Sequence, residues 1–166
     1  LTEREGGDFR ENWLSLGGQE PDLERLSGEQ MDWIRKLPAV ALEGEHLLIH
    51  TDSMFYLEYG KTVEEINRSI GKLVSSKDTF VWERLLNDYA RRKEFFQPHG
   101  QSLSRAEALL AQLGGSKIVH GHTPIPLMTE DSPENVSGPL EYCAGLCLNV
   151  DGGMYMGGPG FVAELD

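Results

Sequence analysis

The chain of 166 residues is predicted to form one layered α/β (α+β) domain. Short apolar segments with strand character lie towards both ends, whereas the middle carries apolar residues at the three- and four-residue spacing of helices. Strands and helices in this arrangement pack as layers around a shared core. The length is sufficient for one domain with a substantial core.

Two short helices are predicted in the first part of the chain. Residues 23–26 form a short helical pattern. Ser27, followed three residues later by Gln30, is a capping box that predicts a helix over residues 28–36. This helix should end before Pro38, because proline disfavours helical backbone in the residue that precedes it.

A strand hairpin is predicted next, with strands at residues 39–42 and 46–50 and a turn over residues 43–45. The second strand is a short apolar run that ends in His50, Thr51 and Asp52. A buried strand of this kind delivers polar side chains at its carboxyl end.

Three helices are predicted in the middle of the chain, over residues 62–74, 78–95 and 102–113. Each begins with short polar side chains of the kind that cap helices, namely Thr62 (with Glu65 as a capping box), Asp78, and Ser102 or Ser104. Two glycines follow the third helix and are expected to end it.

The last third of the chain is predicted to return to strands. A very short strand precedes a glycine turn within residues 117–124, and the proline-rich residues 125–142 are expected to form a surface loop. Residues 147–151 and 161–165 are predicted to be paired strands on either side of a turn-rich reversal.

Charge and composition exclude several classes of function. The formal net charge of -12 disfavours non-specific binding of nucleic acid, because the chain would repel phosphates. No apolar run reaches the roughly 18 residues that a membrane span requires. Cys143 and Cys147 have the spacing of neither a redox pair nor a zinc site, so we expect reduced thiols and a cytoplasmic protein.

Two histidines are the strongest candidates for chemistry. His50 ends one predicted strand, and His122 follows Gly121 at the end of another. Ligand sites in open α/β sheets lie at such strand ends, and neutral imidazole is a common metal ligand. We expect Gly121 to permit a sharp turn and Pro124 to stiffen the loop. A single histidine at a strand end is more often a hydrogen-bonded core residue, so spacing alone leaves both interpretations open.

The sequences of five segments support the interpretation of the two histidines as metal ligands. These segments include W-x-x-x-G-G, W-I-x-x-L-P, L-L-I-H-T-D, G-H-T-P and N-V-D-G-G, at residues 11–18, 33–38, 47–52, 119–124 and 149–158. Together and in this order they resemble the calcineurin-like metallophosphoesterases, in particular the bacterial PPP-type serine/threonine phosphatases and their relatives that hydrolyse diadenosine tetraphosphate.

The resemblance implies that residues 1–166 are the C-terminal portion of one four-layer α/β/β/α sandwich, whose N-terminal half is missing. In that family a pair of divalent ions (Mn, Fe, Zn or Ni) is bound, and His50 and His122 would both hold the second ion. The family's D-x-H, G-D-x-x-D-R-G and G-N-H-E motifs do not occur here. The first residue is Leu1 rather than Met, and we expect the catalytic residues upstream of it, or on a complementary chain.

The resemblance also assigns roles around the two ligands. Arg84, in a W-x-R segment, would bind the substrate phosphate, although a solvated helix arginine is an equally simple interpretation. Asp52 and Asp151 stand beside the ligand strands and would orient the histidines, as carboxylates often do; a turn-capping aspartate is the alternative for Asp151. His120 would point away from His122 in an extended strand and is a weaker candidate for the same role. The basic run 91–93 is interpreted as a solvated face.

The predicted function is therefore metal-dependent hydrolysis of a phosphate ester on a phosphoprotein or a small phosphomonoester. Dinucleotide polyphosphates are an alternative substrate. An alternative of another class is a non-catalytic or degenerate fragment that binds a partner. A redox protein that uses Cys143 and Cys147 is a further alternative, and it predicts a thiol of low pKa.

Overall fold

The computed structural model describes Glu11, Leu14, residues 18–96 and residues 101–165, which contain six helices and a five-stranded mixed sheet. The helices are α1 (Glu20–Arg25), α2 (Gly28–Ile34), α3 (Val63–Val74), α4 (Thr79–Tyr89), α5 (Gln101–Leu113) and α6 (Ile125–Thr129). The strands are β1 (Val40–Glu43), β2 (His46–Ile49), β3 (Lys117–His120), β4 (Leu140–Tyr142) and β5 (Cys147–Asn149). The predicted mixed α/β class is confirmed.

The sheet has the strand order β1-β2-β3-β5-β4. β1 and β2 form the predicted antiparallel hairpin, β2, β3 and β5 run parallel, and β4 pairs antiparallel with β5. The carboxyl ends of the three parallel strands therefore meet at one edge of the sheet. The segments that follow them are the β2 loop (residues 50–54), the β3 loop (121–124) and the β5 loop (150–153).

The core lies on one face of the sheet. Alternate residues of β2, together with Ile118 on β3 and Cys147 on β5, point into it and are buried, as is Phe55 after β2. Helix α3 packs on β1, and α5 packs on β3. Val40, Leu47, Ile66 and Leu109 are also buried to at least 99% and complete the contact between sheet and helices.

Helix starts follow the predicted capping chemistry in most places. Ser27 accepts a hydrogen bond from Gln30 N (3.2 Å) and the Gln30 side chain accepts one from Ser27 N (2.8 Å), which confirms the capping box. Thr62 and Asp78 cap α3 and α4. At α3 the Glu65 carboxylate accepts from Lys61 N rather than from the backbone of the cap, so this capping box is only half formed.

Two of the predicted helices have different bounds. The helix predicted over 78–95 ends at Tyr89, because the residues after Ala90 leave the helix to bond with the β2 loop and Lys93 adopts a left-handed φ of 62°. The predicted caps Ser102 and Ser104 lie inside α5, which already begins at Gln101, so this prediction was wrong.

The region predicted to be a surface loop contains regular structure. Residues 125–142 include α6 and β4, and Ile125, Pro126 and Met128 of α6 are buried. Proline is compatible with the first turn of a helix, where its missing N–H has no helical partner, so the proline-rich composition did not exclude a helix.

Residues 161–165 do not form the predicted strand. The predicted partner, β5, is already paired with β3 on one side and with β4 on the other, so it has no free edge. None of the described helices combines the length and the apolar character needed to cross a membrane.

Candidate metal-binding site

The two predicted ligands meet at the carboxyl edge of the sheet. His50 follows β2 and His122 follows the neighbouring parallel strand β3, and the backbone of the two loops is joined by a hydrogen bond from Gly121 N to His50 O (3.2 Å). His50 Nε2 lies 3.0 Å from His122 Nδ1, and the ring centroids are 4.6 Å apart. The convergence of the two imidazoles that the sequence suggested is present in the structure.

This distance is that of a hydrogen bond between the two rings, and it also fits two ligands of one ion. Nitrogens bound at about 2.1 Å lie about 3.0–3.4 Å apart for octahedral to tetrahedral angles. Desolvation, followed by the neighbouring His122, lowers the pKa of His50 to about 4, and desolvation followed by Arg92 lowers the pKa of His122. Both rings are therefore neutral near pH 7, which is the form that binds metals.

The β3 loop holds His122 in an unusual conformation. His122 has φ 65°, in the left-handed region that residues with a Cβ rarely adopt. Its Nε2 atom and the hydroxyl of the fully buried Thr123 have no hydrogen-bond partner among the described residues. Strained residues and unsatisfied buried polar atoms cluster at functional sites, so this loop has the character of a binding site.

The β2 loop, in contrast, is saturated with hydrogen bonds. The buried Tyr56 hydroxyl accepts from the backbone N–H of His50 (3.0 Å) and of Thr51 (3.1 Å). The Thr51 hydroxyl donates to Arg91 O (2.5 Å), and Ser53 donates to the Glu94 carboxylate (2.8 Å). These bonds fix the backbone from which the His50 side chain projects.

Two of the residues predicted to orient the ligands belong to a buried network. Asp52 Oδ2 accepts from the Tyr142 hydroxyl (3.1 Å), and the same hydroxyl lies 2.7 Å from His120 Nε2. His120 Nδ1 lies 3.0 Å from Gly121 O, a carbonyl that can only accept, so this nitrogen carries a proton. The network thus connects the β2 loop, β3 and β4, and it reaches His122 through the neighbouring Gly121.

Asp151 lies beside the histidines and stiffens the β5 loop. Its carboxylate accepts from Gly153 N (3.0 Å), and its backbone N–H donates to the buried Asn149 side chain (2.8 Å). The negative charge of Asp151 opposes the lowering of the pKa of both His50 and His122. Asp151 therefore acts on the pair through its charge and also fulfils the alternative role of a turn-capping residue.

The Arg84 side chain is paired with two carboxylates. Its guanidinium lies 3.9 Å from Glu58 and 3.8 Å from Asp88, and it stacks over the Tyr59 ring at 5.8 Å. The pocket that contains Arg84 is lined by residues of α3, α4 and the turn before α3, and by neither histidine.

The two histidines form an incomplete ligand set. Among the residues that the structure describes, no group of three or more His, Cys, Asp or Glu side chains is arranged to hold a metal ion. Structural and catalytic zinc sites use at least three protein ligands, so the pair fits part of a metal site rather than a whole one.

Several residues that shape the site were not identified from the sequence. Tyr56 and Tyr142 carry the hydroxyls that fix the loops, and Tyr89 of α4 lies with its ring centroid 5.5 Å from that of His50. Asn149 donates to Thr123 O (2.7 Å) and so joins β5 to the β3 loop. Only Asn149 stood in a segment that the resemblance singled out. Tyr89 and Tyr142 act across long stretches of chain, whereas Tyr56 bonds to the backbone of residues just before it.

The cysteines do not have the property that a redox role requires. Both are free thiols, and burial raises the pKa of Cys143 and of Cys147 above its usual range. The low pKa that the redox alternative predicted is therefore contradicted.

No family model matches the chain, and neither the curated proteins nor the solved structures provide a match.

Proposed function

We propose that the chain is part of a metal-dependent phosphoesterase of the calcineurin-like type, in which His50 and His122 hold one of two divalent ions. The observation that carries the proposal is the 3.0 Å approach of His50 Nε2 and His122 Nδ1 at the carboxyl edge of adjacent parallel strands. Neutral rings and a left-handed His122 support the same interpretation, and the unpartnered Nε2 of His122 leaves a donor for the polypeptide that would complete the site.

Completion of the site requires polypeptide beyond the described residues. Two imidazoles are too few to hold a catalytic ion, so we place the remaining ligands and the catalytic residues on an upstream segment or on a separate chain. Mn, Fe, Zn and Ni all accept such a ligand set.

The second face of the sheet supports this addition. Ala41, Leu48 and Leu148, each only half-buried, form a row across β1, β2 and β5 with Val119 between them on β3. An apolar sheet face of this kind packs against another layer. A second sheet on it would produce the four-layer α/β/β/α sandwich that the resemblance implies.

In this proposal the chain positions a metal ion and does not itself supply the catalytic residues. Bound metal would polarise the phosphate and supply a hydroxide nucleophile at neutral pH. Tyr56 fixes the backbone of His50, and Asn149 fixes the β3 loop that carries His122. The Asp151 charge favours a cation at the pair over an anion.

A non-catalytic module that binds a partner is the second candidate. It is favoured by the same ligand count, because a chain with two metal ligands and an apolar sheet face would suffice for an interaction without catalysis. Hydrolysis of a phosphate ester that depends on the two histidines separates the candidates.

The first test is titration of the 166-residue chain with Zn²⁺ by calorimetry. We expect at most one weakly bound ion, and a loss of affinity of at least about tenfold in His50→Ala and in His122→Ala. His46→Ala is the matched control, because His46 lies at the opposite end of β2. Equal affinity in all four proteins, or tight binding of two ions, would contradict the proposed ligand set.

The pH dependence of binding sharpens this test. Two histidines with an ordinary pKa near 6.5 would be about 90% protonated at pH 5.5, and competition with protons would weaken binding by about 100-fold relative to pH 7.5. Because the pKa of His50 is lowered to about 4 and that of His122 is also lowered, we expect a much smaller loss over this range.

Activity is then measured with Mn²⁺ and p-nitrophenyl phosphate on the longest polypeptide in which the chain occurs, and on its His122→Ala variant. Hydrolysis that is lost in the variant supports the phosphoesterase. No hydrolysis in either protein, despite histidine-dependent metal binding, supports the partner-binding module.

A further inference from the structure

The segment that follows α4 is bonded to the β2 loop and to α6, the helix that follows the β3 loop. Arg91 O accepts from the Thr51 hydroxyl (2.5 Å), and Lys93 N donates to Asp52 Oδ1 (2.8 Å) in the β2 loop. Lys93 Nζ donates to Leu127 O (2.6 Å), just beyond the β3 loop. Arg92 stands between these anchored residues, so its backbone position relative to the histidine pair is fixed from both sides.

The three basic residues of this segment differ in what they contact. Arg91 is paired with Glu58 at 2.6 Å and with Glu94 at 3.2 Å, and Lys93 is bonded to a carbonyl. Arg92 is exposed and has no ion pair or hydrogen bond within the described part of the chain. The expectation of a solvated face is therefore wrong for Arg91 and Lys93, and of these three residues only Arg92 has no partner in the part of the chain that the structure describes.

The bonds of Arg91 and Lys93 place the backbone of Arg92 next to the β2 loop, which carries His50. The positive charge of Arg92 lowers the pKa of His122 more than any other charge does. The Arg92 guanidinium forms no ion pair with a carboxylate of the described residues, whereas Arg84 contacts two carboxylates. An arginine without an ion pair among the described residues, on a segment bonded to the β2 loop, is suited to binding an oxyanion.

We propose that Arg92, rather than Arg84, binds the phosphate group of the substrate beside the histidine pair. This inference rests on the proposed function for its substrate class, a phosphate monoester. The planar guanidinium would donate to two phosphate oxygens at once, and its fixed backbone would orient the phosphate over the ion held by His50 and His122.

The test is the affinity of the 166-residue chain for inorganic phosphate, measured by calorimetry with and without Zn²⁺. Loss of a charge-assisted hydrogen-bond pair weakens binding by about 10- to 100-fold, which is the loss expected for Arg92→Ala. Arg92→Lys should lie between, because lysine keeps the charge and loses the planar pair of donors. Arg68→Ala removes the same charge from an exposed position on α3 and should change the affinity less than twofold.

Each possible result either supports or overturns the proposed role of Arg92. A loss in Arg84→Ala without a loss in Arg92→Ala overturns it, as does equal affinity in Arg92→Ala and Arg68→Ala or the absence of phosphate binding by the unmodified chain. Zn²⁺ titrations of the same proteins report separately on the proposed function. Arg92-dependent phosphate binding without histidine-dependent Zn²⁺ binding would sustain the anion site and reject the metal site.

Discussion

The β2 loop and the β3 loop carry one candidate ligand each, but they are built in opposite ways. Around the β2 loop, Tyr56, Arg91 and Glu94 satisfy the polar groups of residues 50–54, so the His50 backbone is held by the chain itself. In the β3 loop His122 is left-handed, and its Nε2 atom and the Thr123 hydroxyl lack partners in the described structure.

The difference indicates which half of the site is preformed. Saturated hydrogen bonding makes the β2 loop a rigid support that contributes to folding stability. The β3 loop instead stores strain and leaves polar atoms unsatisfied, both of which reduce stability unless something else binds there. A ligand or further polypeptide that completes the site would therefore act mainly on the β3 loop.

The largest expected effect comes from removal of the β2 support in Tyr56→Phe. The two buried or part-buried backbone donors, His50 N and Thr51 N, would lose their acceptor, which we expect to lower the free energy of unfolding by about 2–4 kcal/mol. Urea denaturation measures this change.

The matched control is Tyr59→Phe, because the Tyr59 hydroxyl donates to the single acceptor Asp88. It should cost about 1.5 kcal/mol, the lower end for a hydrogen bond to a charged group, because the pair is only part-buried. If Tyr56→Phe were no more destabilising than Tyr59→Phe, the β2 loop would not depend on the tyrosine and the contrast between the loops would fail.

A smaller effect is expected from the backbone of His122. Glycine adopts a φ of 65° without strain, whereas alanine does not, so His122→Gly should be more stable than His122→Ala by about 1 kcal/mol. Both variants lose the ring, so their difference isolates the backbone.

The same pair of substitutions at His46 gives the control. His46 lies in β2 with extended backbone, where glycine is less stable than alanine by roughly 0.5–1 kcal/mol. A reversal of order between the two positions is the expected result. Alanine more stable than glycine at both positions would show that the β3 loop is not strained at His122.

How far the sequence predicted the molecule depended on the range of the interactions. Capping at Ser27 and the hairpin of β1 and β2 depend on neighbouring residues, and both were predicted. The end of α4 was not, because it is decided by a partner distant in the chain, and the absence of a strand at 161–165 was not, because both edges of β5 are already occupied. Asp52 bonds to Lys93, and β4 occupies the edge of β5.

The candidate site shows the same division. The predicted strand ends indicated where His50 and His122 would meet, because parallel strands place their carboxyl ends at the same edge of a sheet. The contacts of Tyr142 and the bonds that hold the segment of Arg92 join distant parts of the chain, which composition and spacing do not encode. The bonds of Tyr56 are local, but no pattern in the sequence marks its hydroxyl as their acceptor. Gly121 was assigned the sharp turn of the β3 loop, yet the left-handed residue is the neighbouring His122.

The smallest expected effect is that of Gly121→Ala, which tests whether the turn of the β3 loop requires glycine at this position. A Cβ at Gly121 would meet its nearest neighbour, Asp151 Cβ, at 3.6 Å, and the residue has no positive φ, so we expect a change of less than about 0.5 kcal/mol and unaltered Zn²⁺ affinity. Gly158→Ala is the matched comparison, since it also lacks a positive φ but its Cβ would lie 2.5 Å from Gly152 O. It should cost about 1–3 kcal/mol, because rigid backbone would have to move. If urea denaturation found equal losses in the two variants, the β3 and β5 loops would have to pack more tightly at Gly121 than this geometry allows, and the glycine rather than His122 would be the residue that the turn requires.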